Sequence, residues 1–168
     1  MNTQNPTRSA KNTVIIVDTR EQLPLEFSQP SVRGTLTSGD YSLVGAENLF
    51  AIERKSITDL TNCCCGENRQ RFERELMRLR GYRFSRLLVI GEPQDIAEHR
   101  YVSRIHPNAV LASLAVWEIR FLPISWAATP ASAARQIESW AGWFAREVMK
   151  EAAALQAAET SVLKKGTL

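Results

Sequence analysis

Short apolar runs, cut by charged and turn-forming residues, divide the chain into segments whose periods predict an alternation of strands and helices. Val14, Ile15, Ile16 and Val17 form a β-branched run that stops at Asp18, the pattern of a strand buried on both faces. Residues 20–34 contain two prolines and a glycine and read as a loop. Residues 35–55 predict a hairpin, with the first strand ending near Val44, a turn at Gly45-Ala46-Glu47-Asn48, and a return over residues 49–55. A helical period follows, weak through the cysteines and strong over residues 67–80, where Phe72, Leu76 and Leu79 make an apolar stripe. Residues 86–90 (RLLVI) give another buried strand closed by Gly91, residues 108–121 a helix behind Pro107, and residues 122–126 a short strand. Thr129-Pro130 provides a capping hydroxyl and a proline at the first helical position. The helix it opens reaches about residue 158, with Ala133, Ile137, Trp140, Phe144 and Val148 as its buried stripe. This order describes an α/β domain with a mixed central sheet flanked by helices.

Composition narrows the class. The 168 residues are 44% hydrophobic and 23% charged, the balance of one globular domain with a substantial core. No apolar run approaches the roughly 20 residues of a membrane helix, and the polar start lacks the apolar stretch of a secretory signal. The expectation is a cytoplasmic, nucleoid-associated protein without membrane contact. Residues 1–12 read as a disordered leader, residues 13–158 as the domain, and residues 159–168 as a flexible tail. The three cysteines are consecutive, Cys63, Cys64 and Cys65, a spacing that suits neither a disulfide framework nor a zinc site and reads as reduced thiols on a packed turn.

The hairpin brings charges together. With the turn centred between Ala46 and Glu47, Asp40 falls opposite Glu53, and alternation puts Ser38, Asp40 and Ser42 on one face with Ala51, Glu53 and Lys55. Tyr41, Leu43, Phe50 and Ile52 take the other, so one face reads as core and its opposite as small, polar and charged. Carboxylates directly across a ladder have Cβ atoms about 4.5–5.5 Å apart. At that distance their repulsion is on the order of 3 kcal/mol for an effective dielectric of about 20. A positive group should lie between them: Lys55, or a divalent cation, with Asp18 at the end of its buried strand as a third oxygen donor. Hard oxygen ligands favour Mg2+ or Mn2+ over zinc, and carboxylates, metal and lysine together suit phosphodiester hydrolysis. The bland alternative is a solvent-exposed strand with ordinary salt bridges from Glu53 or Asp40 to Lys55.

Net charge is only +3, but its distribution is uneven. Sixteen of the 21 basic residues are arginine, and seven of them, from Arg69 to Arg86, fall within 18 residues. Arginine forks suit phosphate, so this segment points to a phosphate-rich partner. Arg71, Arg74 and Arg78 follow helical steps while Arg69, Arg80 and Arg83 diverge, and Glu67, Glu73 and Glu75 interleave to absorb some of them in salt bridges.

VDTRE at 17–21, GDY at 39–41 and ERKSITD at 53–59 resemble the three motifs of the XPF-type structure-specific nuclease domain, a branch of the PD-(D/E)XK superfamily. The resemblance is carried mainly by residues 13–92. It implies a restriction-endonuclease-like three-layer fold and a Mg2+- or Mn2+-dependent endonuclease acting on branched, flap or junction DNA. Position by position it implies Asp18, Asp40 and Glu53 as metal-binding carboxylates and Lys55 as the catalytic lysine, with Arg20, Glu21, Arg54 and Asp59 supporting the site or the substrate. Arg69, Arg71, Arg74 and Arg78 are the expected DNA-binding set. Arg54 also fits a structural ion pair with a helix carboxylate, Asp59 a helix first-turn cap, and Arg20 and Glu21 pairs with neighbouring residues. The chain departs from the eukaryotic and archaeal pattern in two ways: Glu75 stands where those relatives carry a glutamine, and 168 residues leave no room for a tandem helix-hairpin-helix domain. The compact form is similar to stand-alone bacterial or bacteriophage versions. The alternatives are a catalytically silent DNA-binding or scaffolding subunit, and a junction resolvase or restriction-like nuclease on the same fold.

His106, beside a helix start, reads as a cap or a surface residue. Trp117, Trp126, Trp140 and Trp143 read chiefly as packing residues. With Phe144, Trp140 and Trp143 give the last helix an aromatic face broader than a small sheet needs, which suggests a homodimer through the C-terminal helices.

Overall fold

β1 (Ile15–Asp18) is buried along its whole length, as expected of an apolar run covered on both faces. The structure is a computed structural model that describes residues 13–165, so the expected leader and the last three residues of the expected tail lie outside the described residues. β1 pairs in parallel with β2 (Ser31–Gly34) and antiparallel with β3 (Tyr41–Leu43). β4 (Phe50–Ser56), β5 (Phe84–Ile90) and β6 (Ile124–Ala127) complete a six-stranded mixed sheet in the order β2-β1-β3-β4-β5-β6. β2 corrects the loop expected over residues 20–34. It is largely exposed and has no apolar alternation, so what makes it a strand is the open edge of β1 beside it.

Tyr41 pairs with Ile52, the register expected from a turn centred between Ala46 and Glu47. The amides of Leu49 and Phe50 both donate to the Ala46 carbonyl and close that turn. The first hairpin strand is shorter than expected, because regular pairing begins only at Tyr41.

Two cores sandwich the sheet. On one side Val17, Tyr41, Leu43, Phe50, Ile52 and Leu88 pack with Ala133, Ile137, Ala141 and Phe144 of α5 (Pro130–Lys165). On the other, Ala51, Leu87 and Val89 pack under α1 (Ile57–Asn62), α2 (Gly66–Leu79), α3 (Pro93–Ala97) and α4 (Pro107–Arg120) through Leu60, Phe72, Leu76, Ile96 and Trp117. This three-layer arrangement around a mixed sheet is the one the motif resemblance implies. The face holding Ala51 and Glu53, expected to be small, polar and charged, is roofed by α1 and α2. Glu53 is only 2% exposed, which also removes the solvent-exposed strand as an alternative. α3 is unexpected; Glu92 and Asp95 hold it through a reciprocal capping box. α5 continues to Lys165, beyond the expected end near residue 158, with residues 151–164 exposed. Among the described residues no helix is long and apolar enough to cross a membrane.

Candidate active site

The GDY turn owes its shape to glycine. Gly39 has φ +81°, and a Cβ there would lie 3.0 Å from the Ile52 carbonyl oxygen. This close approach lets the Asp40 amide donate to the same carbonyl at 2.8 Å, while the Arg54 amide donates to Asp40 Oδ2 at 2.7 Å. The Asp40 carboxylate is thereby held at the end of the β3–β4 ladder, next to Glu53. Lys55, two residues along β4 on the same face, donates Nζ to Glu53 Oε1 and lies over the Phe72 ring at 5.1 Å from its centroid. Glu53 Oε2 is shut away from water and accepts no hydrogen bond.

Electrostatics reflect this crowding. Burial pushes Asp40 up to about 6; burial and the charge of Asp40 push Glu53 up to about 8. Burial would lower the Lys55 ammonium, but the charge and hydrogen bond of Glu53 outweigh it and hold it above its ordinary value. A buried acid and a half-buried one served by one ammonium, with one oxygen left over, form a donor set that fits a hard divalent cation.

Asp18 does not join this pair. Its Oδ1 accepts from the Arg20 amide at 2.8 Å and Arg20 Nε at 2.7 Å, and its Oδ2 from the Leu36 amide at 2.7 Å and Arg20 Nη2 at 3.1 Å. Burial would raise the Asp18 carboxyl, but these hydrogen bonds outweigh it and hold it below its ordinary range. With both oxygens engaged, Asp18 braces the turn at Leu36. Among the described residues no trio of His, Cys, Asp or Glu side chains stands close enough to enclose an ion.

Arg54 points to the α5 side of the sheet, as strand alternation requires, and forms a two-pronged pair with Glu21 at 2.9 and 3.1 Å. Its partner is therefore a loop carboxylate, and the helix carboxylate anticipated from sequence plays no part. Asp59 takes the capping alternative: Ser56 Oγ donates to Asp59 Oδ2 at 2.7 Å and accepts from the Asp59 amide at 3.1 Å. His106 caps α4 by accepting from the Asn108 amide.

The four expected DNA-binding arginines separate. Arg69 turns inward, donating to Ser113 Oγ at 2.6 Å, pairing with Glu73 at 3.0 Å and stacking over Trp117, so it rivets α2 to α4. Arg78 donates Nε to the buried Ser38 Oγ at 3.2 Å, and Arg74 is exposed. Arg71 lines a cavity of about 260 Å³ that opens beside Lys55, together with Asp59, Asn68, Phe72 and Glu75. Glu75, which the sequence singles out on this helix as a departure from the expected motif but not as a site residue, lines the same cavity.

No curated protein matches the chain. Among solved structures, XPF from Aeropyrum pernix superposes with a TM-score of 0.60 at 22% identity, covering 76% of this chain and 59% of that one. XPF from Aeropyrum pernix in complex with DNA superposes with a TM-score of 0.62 at 21% identity, covering 83% of this chain and 66% of that one. The chain thus spans about three-fifths to two-thirds of those proteins, and at this identity the likeness establishes the fold. The ERCC4 domain model matches residues 17–139, a stretch that takes in the VDTRE turn, the Gly39-Asp40 corner and the Glu53-Arg54-Lys55 strand, and on that match the chain belongs to the ERCC4 domain family, the XPF-type nuclease domains.

Proposed function

We propose that the chain is a divalent-metal-dependent endonuclease that hydrolyses phosphodiester bonds in branched or flap-like DNA, with residues 13–158 as its nuclease unit. The observation that carries this reading is buried Glu53 facing half-buried Asp40 beside Lys55, with Glu53 Oε2 lacking any donor. Like charges held this close destabilise a fold, and a catalytically silent subunit would gain nothing from keeping them. Asp40 and Glu53 would hold Mg2+ or Mn2+. When bound, the cation supplies Lewis acidity, a more acidic water and compensation for charge developing on the phosphoryl group.

The protein's own groups do the rest. Glu53 holds the Lys55 ammonium beside the acids, where it can donate to a phosphate oxygen or orient the attacking water. The Phe72 ring limits the paths by which that ammonium can swing away. Asp18, engaged by Arg20 and the Leu36 amide, keeps the neighbouring turn in place, and the Arg54–Glu21 pair steadies the strand from its opposite face. Arg71 and Arg74 would neutralise backbone phosphates, a mode of binding that reads shape and leaves base sequence unread. The DNA in one A. pernix XPF structure and the ERCC4 match support the substrate class. Trp143, 61% exposed on α5, supports pairing of two copies through their C-terminal helices.

Incubating the protein with labelled flap, fork, nicked and four-way DNA tests this reading. Cleavage should require Mg2+ or Mn2+, stop with EDTA, and vanish in Asp40→Asn and Lys55→Ala while DNA affinity persists. Binding without any cleavage would identify a silent scaffolding subunit, and cutting confined to four-way junctions a resolvase.

A further inference from the structure

Lys55 also lines the cavity of about 260 Å³ whose walls come from α1 and α2. Asp59 and Asn62 belong to the α1 side, and Asn68, Arg71 and Glu75 to the α2 side, where steps of three and four residues set them on one face. Whatever enters this cleft therefore meets the group proposed to act on the scissile phosphate. The reaction described above gives the cleft no occupant.

Charge decides which kind of group fits. Lys55 and Arg71 are matched by Asp59 and Glu75, so the ionised lining sums to zero. A phosphate inside would meet two carboxylates as well as two cations, a conflict that a neutral group avoids. Alongside these charges stand the carboxamides of Asn62 and Asn68, both exposed and, among the described residues, without a hydrogen-bond partner. Each offers donors and an acceptor, the complement of a nucleobase edge. A carboxamide can turn over, so the pair accepts any of the four bases and leaves sequence unread.

The size agrees. The cavity falls just short of the roughly 300–1,000 Å³ of sites for drug-sized ligands, which suits a single base. A paired base cannot reach it, because its edge is taken by its partner and its faces by the stack. Entry requires the base to swing out, at a cost that is smallest where pairing is already interrupted. We propose, building on the nuclease reading above, that the cleft between α1 and α2 receives one unpaired base next to the scissile phosphate, held by Asn62 and Asn68, with exposed Arg71 on the adjoining backbone. Selection of branched DNA follows, since a flap or fork supplies such a base at little cost.

The test is a base-removal scan with the full chain. Flap substrates carrying a single abasic nucleotide at successive positions around the branch are titrated in EDTA, where nothing is cut, and then cleaved in Mg2+. One position on the cleaved strand should weaken binding about tenfold, the scale of one or two lost hydrogen bonds, and slow cleavage with it. In the double variant Asn62→Ala, Asn68→Ala the intact flap should bind about tenfold more weakly, the penalty at that position should disappear, and the melting temperature should stay at the wild-type value. A wild-type protein that binds and cuts the flap with no penalty at any abasic position overturns the base site and leaves the nuclease reading standing. An equal penalty in wild type and double variant puts the base elsewhere and also overturns it. A wild-type protein that cuts no branched DNA overturns both together.

Discussion

Replacing Asp40 by Asn should make the metal-free protein more stable and the enzyme inactive. Asn keeps an oxygen to accept from the Arg54 amide and removes the charge facing Glu53. The Asp40 carboxyl is raised from 3.8 to about 6, mainly by burial. The native state therefore binds more protons than the unfolded chain between about pH 4 and pH 6, and its stability falls as pH rises through that window. At about 1.4 kcal/mol per pKa unit, the ionised group costs about 3 kcal/mol once pH exceeds 6, and partial solvent access reduces this to about 2–3 kcal/mol. For a domain of this size each kcal/mol moves the melting temperature by about 2–4 °C. Asp40→Asn should thus melt about 5–10 °C higher than wild type at pH 8 in EDTA and nearly coincide with it at pH 4. Calorimetry at the two pH values measures both. Adding Mn2+ should raise the wild-type melting temperature and leave the variant unmoved. If Asp40→Asn melts at or below wild type at pH 8 in EDTA, the desolvated charge of Asp40 is not a cost that the fold tolerates for function, and the assignment of the cation site loses its basis.

Gly39→Ala should cost on the order of 1–3 kcal/mol in denaturant unfolding and also reduce cleavage, because the new Cβ meets the Ile52 carbonyl at a positive φ; unchanged unfolding would contradict the close approach. Arg54→Met leaves the Glu21 carboxylate, 7% exposed, without its guanidinium and with only the Leu23 amide as a donor, and should destabilise by about 3–5 kcal/mol, with part recovered when Glu21→Met is added. Maleimide should label Cys65 in the native protein and spare buried Cys64, whose thiol burial pushes up to about 11, until the chain unfolds, as peptide mass spectrometry can follow. Arg71→Ala should lower the slope of DNA affinity against salt by about one unit, whereas Arg69→Ala should act mainly on stability because its donors are already taken by Ser113 and Glu73.

Much of this domain is legible in the order of its residues, because strand and helix periods and the symmetry of a tight turn are local properties. The apolar run before Asp18, the Tyr41–Ile52 register and the stripe of Phe72, Leu76 and Leu79 all follow from neighbours a few positions apart. That symmetry alone brings Asp40 to Glu53 and sets Lys55 on the same face. What required the tertiary structure is whatever depends on distant chain segments meeting. β2 exists because β1 has an open edge, and the Glu53 face is dry because α1 and α2 fold over it. Asp18 is held by the Leu36 amide eighteen residues away, and Arg69 turns in toward Ser113 on α4, as no periodicity could reveal. Hydrophobic spacing specifies which side of an element seeks burial; the partner of a charged group is decided by which elements pack together, since desolvation makes an acid or an arginine take the nearest donor or acceptor the fold presents.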